Sequence, residues 1–130
     1  MPEVLTKVLV ADDSRIFRAF ASELLRELKV EVIEAATGRE ALDRAIASRP
    51  ELLVLDALMP IFSGFDVIVK LRERVPDYTP KVFIVTAVYK SRRWELEARQ
   101  HYHVDEYLEK PLEPEDVLAA VRRHFPSAGH

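Results

Sequence analysis

Five short apolar runs punctuate the chain: Lys7–Ala11, Val30–Ala35, Glu51–Leu55, Lys81–Val85 and Asp105–Glu109. Runs this short, rich in Val, Ile and Leu and bounded by polar residues, predict strands. Between them the apolar positions recur at helical spacing. Ser14 is the predicted N-cap of a first helix that turns Ile16, Phe17, Phe20, Leu24, Leu25 and Leu28 to one face. Thr37-Gly38-Arg39-Glu40 reads as a capping box ahead of Ala41, Leu42, Ala45 and Ile46. A third helix follows Gly64 with Phe65, Ile68 and Leu71, and a last one opens near Pro114 and buries Val117, Leu118, Val121 and Phe125. The fourth helix differs, because Trp94, Leu96, Ala98 and Tyr102 form only a thin stripe among Lys90, Arg92, Arg93, Arg99, His101 and His103. So small an apolar face gives little area to hold the helix down, and it is expected to be the most mobile one.

Alternation of strand and helix predicts an α/β fold, a doubly wound (βα)5 sandwich with helices on both faces of a parallel sheet. Runs one, three and four are almost continuously apolar, as central strands must be. Glu31, Glu34, Asp105, Glu106 and Glu109 interrupt runs two and five, which marks them as edges. With right-handed crossovers, the predicted strand order is 2-1-3-4-5. In that order the chain reverses direction between strands one and three. Ligands of open α/β sheets bind beyond the carboxyl ends of the strands at such a point.

Composition narrows the picture. At 130 residues the chain suits one domain, 1–130, with a core over about 5–125. The tail Pro126–His130 is expected to fray, and no effector domain is expected. A 48% apolar and 32% charged composition argues against disorder. A net charge of -3 gives no reason to expect nucleic acid or a membrane surface as partner. No apolar run reaches the length of a membrane span and Met1-Pro2-Glu3 begins no signal peptide, so a cytoplasmic protein fits best. The absence of cysteine removes disulfides, thiol nucleophiles and Cys-ligated zinc.

Chemistry gathers where the apolar runs end. Asp12-Asp13 follow the first run, Asp56 the third, Thr86 the fourth and Lys110 the fifth. A buried strand that finishes on a carboxylate is costly unless the carboxylate meets water, a partner or a metal. Two carboxylates about 4 Å apart repel by roughly 4 kcal/mol at an effective dielectric of about 20. A divalent cation would relieve this, and all-oxygen ligation favours Mg²⁺ with a phosphoryl oxygen in its remaining coordination. The Thr86 hydroxyl and the Lys110 ammonium would hold other phosphoryl oxygens. Asp56 is then either a metal ligand only or also a nucleophile that forms an aspartyl phosphate.

These motifs, in this order and after these strands, resemble the receiver domain of bacterial two-component response regulators over nearly the whole chain. The matching elements are Asp12-Asp13, Asp56-Ala57-Leu58-Met59-Pro60 with Gly64, Thr86-Ala87, and Tyr107-Leu108-Glu109-Lys110-Pro111. The resemblance implies a flavodoxin-like, single-domain, chemotaxis-regulator-like receiver that is not an enzyme beyond its own phosphorylation and dephosphorylation. It implies Asp56 as phosphoacceptor and Asp13 as a direct Mg²⁺ ligand. Asp12 would act through water, and the Leu58 backbone carbonyl would complete the protein ligands. Lys110 would pair with the phosphoryl group, held by a cis Lys110-Pro111 peptide. Thr86 would move toward a phosphoryl oxygen and Tyr107 would turn inward behind it, coupling the site to the face of helix 4, strand 5 and helix 5. A sensor histidine kinase would be the donor, an unidentified downstream protein or phosphotransfer partner the receiver of the signal, and the same face the surface of a possible homodimer.

Two departures from the family pattern stand out. The stretch Val88–Asp105 departs from the common pattern: from Thr86 to Lys110 the chain is about two residues longer than usual, with His103 where a glycine is common and with the cluster Lys90-Ser91-Arg92-Arg93-Trp94, so Arg92, Arg93 and Trp94 are a candidate partner surface. Leu58 and Val88, which flank the path of the hydrolytic water in the family, carry no polar side-chain atoms, so autodephosphorylation is expected to be slow. Plainer readings exist for single residues. Asp12 or Asp13 alone reads as a helix cap, Tyr107 as edge packing, Lys90–Arg93 as a solvated face and Trp94 as half-buried packing, while His101 and His103 lie two apart and face different ways. A haloacid-dehalogenase-like phosphatase would want a second acid at position 58 and length for a cap. A receiver-like module that is never phosphorylated would have lost an acid or the lysine. DNA binding would need a basic helix pair.

Overall fold

The computed structural model describes residues 3–129. Each predicted run forms a strand: β1 (Lys7–Ala11), β2 (Glu31–Ala35), β3 (Leu52–Asp56), β4 (Lys81–Thr86) and β5 (Glu106–Glu109). Helices α1 (Arg15–Arg26), α2 (Gly38–Ser48), α3 (Gly64–Arg74), α4 (Arg92–His101) and α5 (Pro114–His124) alternate with them. The strands pair in parallel in the order β2-β1-β3-β4-β5, so the two charged runs lie at the edges. The flavodoxin-like topology is the one predicted.

Alternate side chains of each strand point to opposite faces, which gives the sheet two cores. Leu9, Leu53, Leu55 and Ile84 pack with Leu42, Val67, Ile68 and Leu71. Val8, Leu52, Val54, Phe83 and Val85 pack with Leu25, Val121 and Phe125 on the other side. Leu52, Leu53 and Leu55 are fully buried, and each contributes about 1.5–3 kcal/mol relative to exposure. β3 is therefore the strand least free to move, and it ends on Asp56.

Several local details differ from the expectation. Ile16 is 85 % exposed; it lies in the first turn of α1, where Phe17 and Phe20 take the inward positions. Thr37 caps α2 through Glu40 N, but the Glu40 carboxylate accepts from Ala36 N rather than from Thr37, so the box is not reciprocal. The reciprocal box is in α3, between Ser63 and Asp66. In the tail, Ala128 N donates to the Phe125 carbonyl and Ala128 is buried in the second core, while Pro126, Ser127 and Gly129 are exposed. His130 lies outside the described residues. β5 begins at Glu106; just before it, Asp105 N donates to the Val82 carbonyl and the Asp105 carboxylate accepts Val82 N, each at 2.8 Å.

Glu106 is buried at the start of β5, where its carboxylate accepts Arg123 at 2.8 and 3.2 Å and approaches the His124 ring at 2.7 Å. Burial alone would raise its pKa; the bonds from Arg123 and His124 outweigh this and hold it below the usual value. These contacts clamp the end of α5 to the edge strand.

Candidate functional site

The sheet's own hydrogen-bond ladder sets the rim. Beyond β1, Asp12 N donates to the Ala35 carbonyl at 3.0 Å. Ala57 N, next to Asp56, donates to the Val85 carbonyl at 2.9 Å, and Lys110 N donates to the Thr86 carbonyl at 2.8 Å. Each polar residue is thus fixed by the last rung of a buried strand. Asp56 is paired with Val85 and Thr86 with Glu109 in register, which brings all of them to one end of the sheet. That end carries the switch point between β1 and β3.

The acids converge. Asp12, Asp13 and Asp56 each present a carboxylate oxygen within 4.8 Å of the others, and no other such cluster occurs among the described residues. Asp12 is fully buried and Asp13 exposed. Asp12 Oδ1 accepts Ser14 N at 2.8 Å, and Oδ2 accepts Lys110 Nζ at 2.6 Å. Asp56 Oδ1 accepts Leu58 N at 3.2 Å, while Oδ2 lies 3.5 Å from Lys110 Nζ. Burial first, and the Asp12 charge second, push the Asp56 carboxyl up to about 6, against the pull of Lys110. One ammonium faces three carboxylates, so the rim has an uncompensated negative charge and oxygen-only donors. That donor set fits a hard divalent cation such as Mg²⁺.

Gly64 lets the next loop close over this end. A Cβ there would come 2.4 Å from the Asp56 carbonyl oxygen, while Gly64 N donates to the Ala57 carbonyl. The loop pays in strain at Ile61, a β-branched residue at φ 75 bridged by the bond from Phe62 N to the Pro60 carbonyl. Such a conformation costs about 1–3 kcal/mol. The Lys110-Pro111 peptide is cis, as the resemblance implies.

On the other flank Thr86 is buried, and its Oγ1 accepts Val88 N at 3.1 Å and Tyr89 N at 2.9 Å. Its hydroxyl hydrogen remains free to donate. Tyr107 lies inward, buried, with its hydroxyl donating to the Tyr89 carbonyl at 2.6 Å. The Tyr89 ring packs on Trp94 with centroids 4.7 Å apart. Tyr89 therefore joins Thr86, Tyr107 and the start of α4. Its place three residues after Thr86 was the available signal, and sequence reading passed over it. Phe17, read only as core, also reaches the rim: its ring centroid is 4.2 Å from Lys110 Nζ.

Arg92 and Arg93 are exposed and Trp94 is 44 % exposed. His103 takes φ 53, a left-handed position where glycine is usual, and the turn it makes is tied down by Arg72, which donates to the Tyr102 and His103 carbonyls. No helix of the described residues is long and apolar enough to cross a membrane.

The sequence matches the family model of the response regulator receiver domain over residues 8–122. It is 28% identical over 121 residues to protein PilG of Pseudomonas aeruginosa, covering 93% of this chain and 88% of that one. It is 36% identical over 109 residues to protein-glutamate methylesterase/protein-glutamine glutaminase 1 of the same organism, covering 82% of this chain but 29% of that protein. Among solved structures, the chemotaxis protein CheY4 of Vibrio cholerae superposes with a TM-score of 0.82 at 30% identity, over 93% of this chain and 99% of that one. The BeF3-activated DrrB receiver domain gives 0.81 at 27% identity, over 95% and 99%.

Proposed function

The chain belongs to the response regulator receiver domain family, and on that premise we propose that it takes a phosphoryl group from a sensor histidine kinase onto Asp56. The observation that carries this reading is the buried Asp56 carboxylate ending β3, with the oxygens of Asp12 and Asp13 within 4.8 Å and Lys110 Nζ at 3.5 Å.

In this reading a carboxylate oxygen of Asp56 attacks phosphorus. The P–N bond to the donor imidazole breaks, and the imidazole leaves with the electron pair and takes up a proton. Asp13, Asp56 and the Leu58 carbonyl would hold Mg²⁺ directly, and Asp12 through water. When bound, the cation neutralises the crowded carboxylates and the charge on the phosphoryl oxygens. Lys110 pairs with a phosphoryl oxygen from the side facing Asp12. Thr86 donates its free hydroxyl hydrogen to another.

The acquired charge of about −1.5 to −2 then draws in Thr86, whose hydroxyl hydrogen is free but whose oxygen is already committed as an acceptor. Thr86 Oγ1 anchors the Val88 and Tyr89 amides, so its movement carries Tyr89, the Tyr107 bond and the Trp94 stack with it. The output is a changed face of α4, β5 and α5 that binds a downstream protein or precedes onward transfer of the phosphoryl group. Arg92, Arg93 and Trp94 contribute partner contacts there, and a homodimer would use the same face. The chain acts as a cytoplasmic signalling domain that works through a protein partner, not as an enzyme on other substrates and not on nucleic acid.

Leu58 and Val88 follow Asp56 and Thr86 by two residues, are 42 % and 62 % exposed, and carry no polar side-chain atom with which to orient a water. The phosphorylated protein is therefore expected to persist for minutes or longer. Intact mass after incubation with acetyl phosphate tests both points. A gain of one phosphoryl group with Mg²⁺, absent with chelator and absent in Asp56→Asn, is the expected result. No gain where a control receiver is modified, or a lifetime of seconds, would contradict the reading of the chemistry or of its persistence respectively.

A further inference from the structure

We propose that Phe17 is a positioning residue for Lys110, its ring face holding the ammonium over the rim on the side that the carboxylates leave open. The inference rests on the receiver reading above. Lys110 Nζ is 2.6 Å from Asp12, 3.5 Å from Asp56 and 4.2 Å from the Phe17 ring centroid. An ammonium has three N–H donors; two directions are taken by carboxylates and the third faces the ring's negative π-surface. Both the ring and Lys110 line an open groove of roughly 540 Å³, together with Phe20 and Leu112. Without the ring, water from that groove would take the third direction and leave the four-carbon stem freer to swing.

The arrangement is closed on itself. Asp12 Oδ2 binds Lys110, Asp12 Oδ1 fixes Ser14 N, and Ser14 Oγ accepts Phe17 N at 3.2 Å. The same carboxylate therefore places the lysine and the start of the helix that carries the ring. Phe20 supports Phe17 from behind, with centroids 6.0 Å apart. In phosphoryl transfer to Asp56, Lys110 is thus already ordered when the new anion arrives, with the ring occupying the ammonium direction that groove water would otherwise fill.

The test uses beryllofluoride, a phosphoryl mimic, titrated at saturating Mg²⁺ and followed by fluorine NMR in the wild type, Phe17→Leu and Phe17→Tyr. Leucine keeps an apolar side chain without a π-face; tyrosine restores the face. Phe17→Leu is expected to weaken beryllofluoride by about threefold to tenfold, Phe17→Tyr to stay within about twofold, and Mg²⁺ affinity measured alone to be unchanged in both. Wild-type affinity in Phe17→Leu would overturn the proposal. So would a loss in Phe17→Tyr equal to that in Phe17→Leu, or a parallel loss of Mg²⁺ affinity, since either would assign Phe17 to packing. A wild-type protein that binds no beryllofluoride would overturn the receiver reading itself, which separates the two failures.

Discussion

At the scale of single residues the rim is a set of costs that offset one another only when occupied. Asp56 carries the clearest of them. A carboxyl that titrates near 3.8 when free is pushed to about 6, first by burial and then by the charge of Asp12. An acid whose folded pKa is raised weakens the fold. Below about pH 4 it is neutral in both states and costs nothing; the penalty grows between about pH 4 and 6 and is complete above that. Asp56→Asn keeps the shape and removes the charge. In chelator the variant is expected to exceed the wild type in stability by about 1–3 kcal/mol near pH 7.5 and to match it near pH 4. Urea titrations at the two pH values check this, and a difference that does not change with pH would contradict it. Ser22 shows a smaller cost of another kind: its hydroxyl is buried in α1 with no partner. The sequence made the acids, Thr86 and Lys110 legible because each ends an apolar run. It hid Phe17 and Tyr89, since a phenylalanine at helical spacing reads as core and a loop tyrosine has no periodicity to mark it.

At the scale of elements, α4 stands apart. Ala98 is its one buried residue, and Trp94 and Leu96 remain partly in solvent. What joins its start to the rim is the chain of contacts from Thr86 Oγ1 to Tyr89 N, and from the Tyr89 ring to Trp94. If Thr86 is recruited by a phosphoryl group, that stack opens. Trp94 is the single tryptophan, so its emission reports the event. Beryllofluoride with Mg²⁺ is expected to shift the emission to longer wavelength, and Thr86→Ala to abolish most of the shift. An unchanged spectrum in protein whose adduct is verified by fluorine NMR would contradict the coupling. Helices with a broad apolar face were readable from spacing alone, whereas caps were less so. The α3 box uses Asp66 rather than Glu or Gln at its third position, and the α2 carboxylate reaches Ala36 instead of Thr37. Both outcomes depend on how a side chain meets a neighbouring loop, which no local pattern records.

At the scale of the whole molecule, strand order followed from charge. Two runs broken by acidic residues have the character of edges, and right-handed crossovers then favour the order that the sheet adopts. The packed tail was not legible, because Ala128 is buried by tertiary contact after Phe125 rather than by any periodicity of its own. The sheet in turn converts strand register into a site: residues as distant in sequence as Asp12 and Lys110 meet at 2.6 Å because their strands end on one rim. By the proposed reading, this rim makes Asp56 the phosphoacceptor. Borohydride reduction of protein treated with acetyl phosphate and Mg²⁺, followed by peptide mapping, tests it most directly, because reduction converts an aspartyl phosphate to homoserine. Homoserine at position 56 alone, lost when Mg²⁺ is withheld, is the predicted result; homoserine at Asp12 or Asp13, or at no position in protein that gained a phosphoryl group, would contradict it.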